Sequence, residues 1–235
     1  MATTGFAVHK ATIVFDLDGT LLDTAPDLIN AVNHVLEMEG GRPVDASVLR
    51  PVISGGGRAL LKSGLQKNGL DYSEAELSRL LEHFIAHYRE NIAVLSKPFP
   101  GLIAELDRLA GLGCKLCVCT NKLEELAWPL LAALELTERF DAITGRDTFP
   151  VYKPDPRHLL GTIARCGGDP THAVMLGDSN TDVKTAKAAG IPVIGVTFGY
   201  TDIPIAELGC DAVISHYDQL PDALAGLGIP TRHHK

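Results

Sequence analysis

Asp16 and Asp18 stand two apart at the end of the apolar run 11–15, followed at once by Gly19 and Thr20. Residues two apart on a strand point the same way, so both carboxylates can share one site. Gly19 lets the backbone leave the strand sharply, and Thr20 offers a hydroxyl that can lock the neighbouring acid. A second polar pair, Thr120-Asn121, follows the run 115–119, and a third cluster, Gly177-Asp178-Ser179-Asn180-Thr181-Asp182, follows 173–176. A helix opening straight after Gly177 would put Asp178 and Asp182 on one face, four residues apart. Four converging acids need an opposite charge, and an all-oxygen donor set with room for water and phosphate favours Mg2+. Lys153, held extended by the prolines that follow it, is the cation expected to meet the phosphate. Taken singly, these signals have ordinary meanings too. Asp-x-Asp-Gly is a common strand-to-turn exit, Gly-Asp-Ser a common helix N-cap, and a lone lysine is usually solvated.

The elements that must position these residues alternate. Segments 11–15, 115–119, 173–176 and 192–196, rich in apolar and β-branched residues, read as buried strands, with shorter ones at 141–144 and 211–215. Helical spacing fills 102–112, 123–134 with a possible kink at Pro129, 159–166, and 181–189 closed by Gly190. This alternation predicts an α/β fold, a doubly wound and mostly parallel sheet with its site beyond the carboxyl ends of the strands. Between the first two strands the pattern changes. Thr24 is placed to N-cap a helix beginning near Pro26, Ser73 and Glu76 have capping-box spacing, and apolar residues from Leu77 to Tyr88 trace a stripe expected to pack on the earlier helix. Segment 24–96 is therefore expected to be an all-helical cap domain, with 1–23 and 97–235 forming the core domain and Lys97-Pro98-Phe99-Pro100-Gly101 marking the return.

Composition removes several classes of function. A net charge of −8 offers no basic footprint for nucleic acid, and no apolar run reaches the roughly 20 residues that span a bilayer. The opening residues 1–10 lack the long apolar stretch of a secretory signal, so the expected location is cytoplasmic. The 5 cysteines are odd in number and dispersed, as suits reduced thiols. Cys117 and Cys119 alternate within a strand pattern and read, with Cys114, as small core hydrophobes. None of the 9 histidines sits in a motif with a nucleophile, and His233-His234 in the tail are expected to be solvated.

Asp16-Leu17-Asp18-Gly19-Thr20, the strand-terminal Thr120, Lys153 before proline and the Gly177-to-Asp182 cluster resemble, in order, the four motifs of the haloacid dehalogenase superfamily. The insert at 24–96 is similar to the family's C1-type cap, and the stretch 15–28 resembles the opening of its phosphoglycolate phosphatases. The resemblance implies that Asp16 attacks phosphorus to form an aspartyl phosphate, and that Asp18 protonates the leaving oxygen and later activates water. It implies Mg2+ held by Asp16, the backbone carbonyl of Asp18 and Asp178, with Asp182 supporting from behind, and phosphoryl oxygens bound by Thr120, Asn121 and Lys153. The chemistry of the residues agrees, since a carboxylate nucleophile with a neighbouring acid splits hydrolysis into two easier steps.

The implied activity is Mg2+-dependent hydrolysis of a small phosphorylated metabolite, with 2-phosphoglycolate as the expected substrate and a monomer or homodimer as the expected state. Arg58, following the side-chain-poor Ser54-Gly55-Gly56-Gly57, is the residue expected to meet the substrate carboxylate, against the alternative of an exposed helix-terminal arginine. A mutase of the β-phosphoglucomutase type, or a phosphatase for a sugar phosphate, nucleotide or pyrophosphate, shares the same motifs. A dehalogenase has no need of an acid at Asp18 or of Mg2+. A phosphorylatable receiver domain or a catalytically silent binding module is disfavoured by Asp18 and by the insert.

Overall fold

A computed structural model of the chain describes residues 8–201 and 203–227. The 6-stranded sheet has the order β5-β4-β1-β6-β7-β8, built from β1 (Thr12–Phe15), β4 (Lys115–Cys119), β5 (Ala142–Thr144), β6 (Ala173–Gly177), β7 (Val193–Val196) and β8 (Ala212–Ile214), all pairs parallel. β1 is central and fully buried, with Ile13 and Phe15 packed into the apolar layer on one face and Val14 into the layer on the other. That two-sided burial is why 11–15 has no polar alternation. Cys117 and Cys119 share the Val14 face and pack there as core residues, and Cys114 joins the opposite layer.

Helices α5 (Leu102–Gly111), α6 (Glu124–Ala133), α7 (Pro156–Arg165), α8 (Asn180–Ala189) and α9 (Leu220–Gly226) complete the core. α6 runs through Pro129 to Ala133. α7 begins earlier than its apolar spacing suggests, because the Asp155 side chain accepts from the Arg157 N–H and Pro156 fits the first turn.

The helical insert hangs from a two-stranded antiparallel ribbon that the sequence pattern does not reveal, β2 (Leu22–Asp23) paired with β3 (Lys97–Pro98). Between them lie α1 (Ala25–Met38), the short α2 (Ala46–Leu49), α3 (Gly56–Lys67) and α4 (Glu74–Glu90). These helices bury a second apolar cluster, where Val32, Leu36, Leu61, Leu77 and Phe84 meet and Leu126 and Tyr200 join from the core. The Ser73–Glu76 capping box is formed. Thr24, in contrast, does not cap α1. Its backbone is already helical and its hydroxyl is directed elsewhere. No helix among the described residues is long and apolar enough to cross a membrane. His233 and His234 lie outside the described residues.

Candidate active site

Because β4 and β6 flank β1, the polar residues at the ends of three adjacent strands converge, with Asp16 after β1, Thr120 after β4 and Asp178 after β6. They line one cavity of about 350 Å3 that also touches Asp18, Asn121 and Lys153 and is walled on the cap side by Leu60, Phe84 and Tyr88. Asp182 is not part of the lining and contacts Lys153 from outside it.

Lys153 is buried in the turn before α7, with Nζ 2.8 Å from Asp16 Oδ1 and 2.6 Å from Asp182 Oδ1. Burial alone would discharge it, but the two carboxylates outweigh that penalty and hold its pKa above the ordinary lysine range. Burial also pushes the Asp16 carboxyl up to about 6, against the pull of Lys153 and with Asp182 adding repulsion. Asp178 is raised well above the usual carboxylate range by burial, then by Asp182 and Asp16.

Asp182 is fully committed. Its Oδ1 takes Lys153, and its Oδ2 accepts from the Ser179 hydroxyl at 2.6 Å and the Ser179 N–H at 3.1 Å. Ser179 is the N-cap of α8, so Asp178 lies outside the helix rather than one turn below Asp182 as the four-residue spacing suggested. Ser179 itself is extended, and the Asp178 carboxylate lies beside that of Asp16 at the end of β1. A carboxylate oxygen from each of Asp16, Asp178 and Asp182 falls within 4.8 Å of the others. This all-oxygen cluster, with more carboxylate than Lys153 can neutralise, fits a hard divalent cation such as Mg2+. Asp178 is cradled by glycine, since a Cβ at Gly19 or Gly199 would overlap its carboxylate, and Gly19 also sits at φ +83°.

Asp18 is held differently from expectation. Thr20 leaves its buried hydroxyl without a hydrogen bond, while Thr24 donates to Asp18 Oδ1 at 2.6 Å. The tight turn after Gly19 brings Thr24, six residues on from Asp18, over the acid. Spacing also gave no weight to Lys122. Its Nζ is 2.9 Å from Asp18 Oδ1 and 3.2 Å from Oδ2. The only available signal was its place directly after Thr120-Asn121.

Thr120 accepts from the Lys122 N–H at 3.1 Å, and Asn121 Nδ2 donates to the Lys153 carbonyl at 2.9 Å. The Asn121 amide thus braces the Lys153 turn, while its Oδ1 is buried without a partner. Arg58 lies in the first turn of α3 on the cavity wall, ion-paired with Glu74.

A family model described as haloacid dehalogenase-like hydrolase matches residues 13–196. The chain belongs to this family. Its resemblance extends through the whole fold: a predicted phosphoglycolate phosphatase from Haemophilus somnus, solved as a crystal structure, superposes with a TM-score of 0.84 at 27% identity, covering 91% of this chain and 97% of that one. Among curated relatives, the phosphoglycolate phosphatase of Mesorhizobium japonicum is 49% identical over 93% of this chain and 96% of its own length. That of Agrobacterium fabrum is 47% identical over 90% and 91%.

Proposed function

We propose that this hydrolase is a Mg2+-dependent phosphatase that acts on 2-phosphoglycolate, or a phosphate monoester of similar size, through an aspartyl phosphate on Asp16. The observation that carries the reading is the paired arrangement of Asp16 and Asp18 at the cavity floor, one gripped by Lys153 and the other by Lys122 and Thr24. Near-full-length relatives named phosphoglycolate phosphatase support the choice of substrate.

In this reading Asp16 Oδ2, the oxygen not paired with Lys153, attacks phosphorus in line with the ester oxygen. Lys153 and Thr120 bind the transferring oxygens, and Asn121 keeps the Lys153 turn in place. Asp18 gives a proton to the departing alkoxide, then takes one from the water that cleaves the aspartyl phosphate. Asp16, Asp178 and the Asp18 backbone carbonyl would hold Mg2+, with Asp182 fixing Lys153 and the Asp178 turn behind them. When bound, the ion would neutralise charge on the phosphoryl oxygens. Segment 24–96 acts as a cap that shuts over the cavity, with the β2–β3 ribbon as its root and 1–23 with 97–235 as the fixed core. Arg58, expected from sequence to meet a substrate carboxylate, stands on the cap-side wall paired with Glu74, and the pairing and exposure of its side chain leave that role open to a better-buried cation. The expected setting is cytoplasmic, as a monomer or homodimer.

Phosphate release should be measured with Mg2+ over 2-phosphoglycolate, sugar phosphates, nucleotides and pyrophosphate. The expected result is the highest kcat/KM for 2-phosphoglycolate, with repeated turnover and no activator. Isomerisation of a sugar phosphate that depends on a sugar bisphosphate, without net phosphate release, would make the protein a mutase instead.

A further inference from the structure

Lys122 is a buried cation in the cavity that the phosphoryl chemistry does not use. Its side chain is 5% exposed, and burial works against its charge, yet Asp18 and the neighbouring Tyr88 hold its pKa above the ordinary lysine range. Its Nζ lies 4.6 Å from the ring centroid of Tyr88, which α4 of the cap brings over it. A lysine so placed needs an anion at all times, because leaving it unpaired costs far more than the pair returns.

Its present anion is the wrong one for turnover. Asp18 cannot give its proton to a leaving oxygen while both of its oxygens are engaged by Lys122. Something that enters with the substrate must take over the ammonium, and the phosphoryl group already has Lys153 and Thr120. Arg58 is less suited to this role, being 45% exposed and bound to Glu74.

We infer that Lys122 is a specificity-determining residue that receives the carboxylate of a short phosphorylated acid and thereby frees Asp18. The inference rests on the proposed phosphatase reading and adds to it the atom that recognises the substrate's second charge. An incoming carboxylate replaces one anion by another at Nζ, so the buried charge stays paired throughout. An ester with a neutral tail offers no such exchange, and Lys122 keeps its hold on Asp18. The Tyr88 ring supplies a cation–π wall that orients Nζ as the cap moves. Acid substrates are therefore favoured in the chemical step as well as in binding.

The test compares 2-phosphoglycolate with ethyl phosphate, which has the same carbon count and no carboxylate, across the wild type, Lys122→Gln, Lys122→Arg and Arg58→Ala. Lys122→Gln should lower the ratio of kcat/KM values, acid over neutral ester, by about ten- to a hundredfold, the range of one charge-assisted hydrogen bond. Lys122→Arg should restore most of that ratio. In an Asp16→Asn background, calorimetry should show 2-phosphoglycolate binding at least about tenfold weaker with Lys122→Gln, while inorganic phosphate binding changes little. Should Lys122→Gln not fold, Lys122→Met keeps the aliphatic stem against Tyr88 and carries the same expectation. Equal losses on both substrates, or a ratio that falls with Arg58→Ala and not with the Lys122 variants, would overturn the assignment while leaving the phosphatase reading intact. A wild type that fails to hydrolyse 2-phosphoglycolate would overturn both.

Discussion

Tyr200 donates its backbone N–H to Asp178 Oδ2 at 2.6 Å, and its phenol donates to Asp23 Oδ1 at 2.7 Å while accepting from the Ala25 N–H at 3.0 Å. One residue thus holds both the acid that ends β6 and the ribbon from which the cap departs. Asp23 is in turn clasped by Arg50 at 3.0 and 3.1 Å. Tyr200→Phe keeps the backbone bond to Asp178 but strips a buried N–H of its acceptor. The expected cost is about 1–3 kcal/mol in denaturant unfolding, with Mg2+ affinity nearly unchanged. A large fall in metal affinity would show that the phenol also sets the Asp178 carboxylate.

The two aspartates after β1 should separate by role. Asp16→Asn swaps the proposed attacking anion for a neutral amide of the same shape and should abolish turnover with an unchanged circular dichroism spectrum. Asp18→Asn removes proton transfer and should lower kcat by about a hundredfold to ten-thousandfold. Ordinary turnover by pure Asp16→Asn protein would sink the nucleophile assignment.

Mg2+ dependence should be sensitive to glycine as well as to acid. Asp178→Ala deletes a proposed ligand, and activity should return only at much higher Mg2+ or not at all. Gly199→Ala keeps the ligand but drives a methyl group into its carboxylate, so the Mg2+ concentration for half-maximal activity should also rise. An unchanged Mg2+ requirement in both variants would remove Asp178 from the metal site.

Buried His158 supplies a pH dependence. Its Nε2 is 3.0 Å from the Gly145 carbonyl, so the neutral ring donates there and leaves Nδ1 buried without a partner. Burial, then the charge of Lys153, lowers its pKa from 6.5 to about 4. Because the folded state disfavours the proton, the stability of the neutral ring is fully present above pH 6.5 and is lost as pH falls toward 4. The loss could reach roughly 3 kcal/mol at the acid end. Chemical unfolding from pH 7 to 4 should therefore be flatter for His158→Gln than for the wild type, and parallel curves would refute the role.

Much of this protein was determined by its sequence alone, for reasons that are local. β1, β4 and β6 are buried on both faces from their second residue on, so they had to be mostly apolar, and polar residues at their ends could be seen as a site before any fold was known. Ser73 and Glu76 announced α4 because a capping box needs only four consecutive residues. Asp16 and Asp178 were legible because parallel strands bring their ends together, whereas Asp182 and Lys153 were marked only by the helix start and the prolines beside them. Tertiary structure decided what depends on angles. Thr24 rather than Thr20 holds Asp18, since the direction of the turn after Gly19 selects the hydroxyl. Asp178 stays outside α8 because Ser179 takes the cap, which no spacing rule ranks above a helix starting one residue earlier. Tyr200 belongs to a core loop but packs into the cap's apolar cluster, a partnership across 175 residues from Ala25. Lys122 carried no signal in the sequence beyond its place after Thr120-Asn121, because a long side chain's partners, here Asp18 and Tyr88, are chosen by whatever distant segment the fold delivers within its reach.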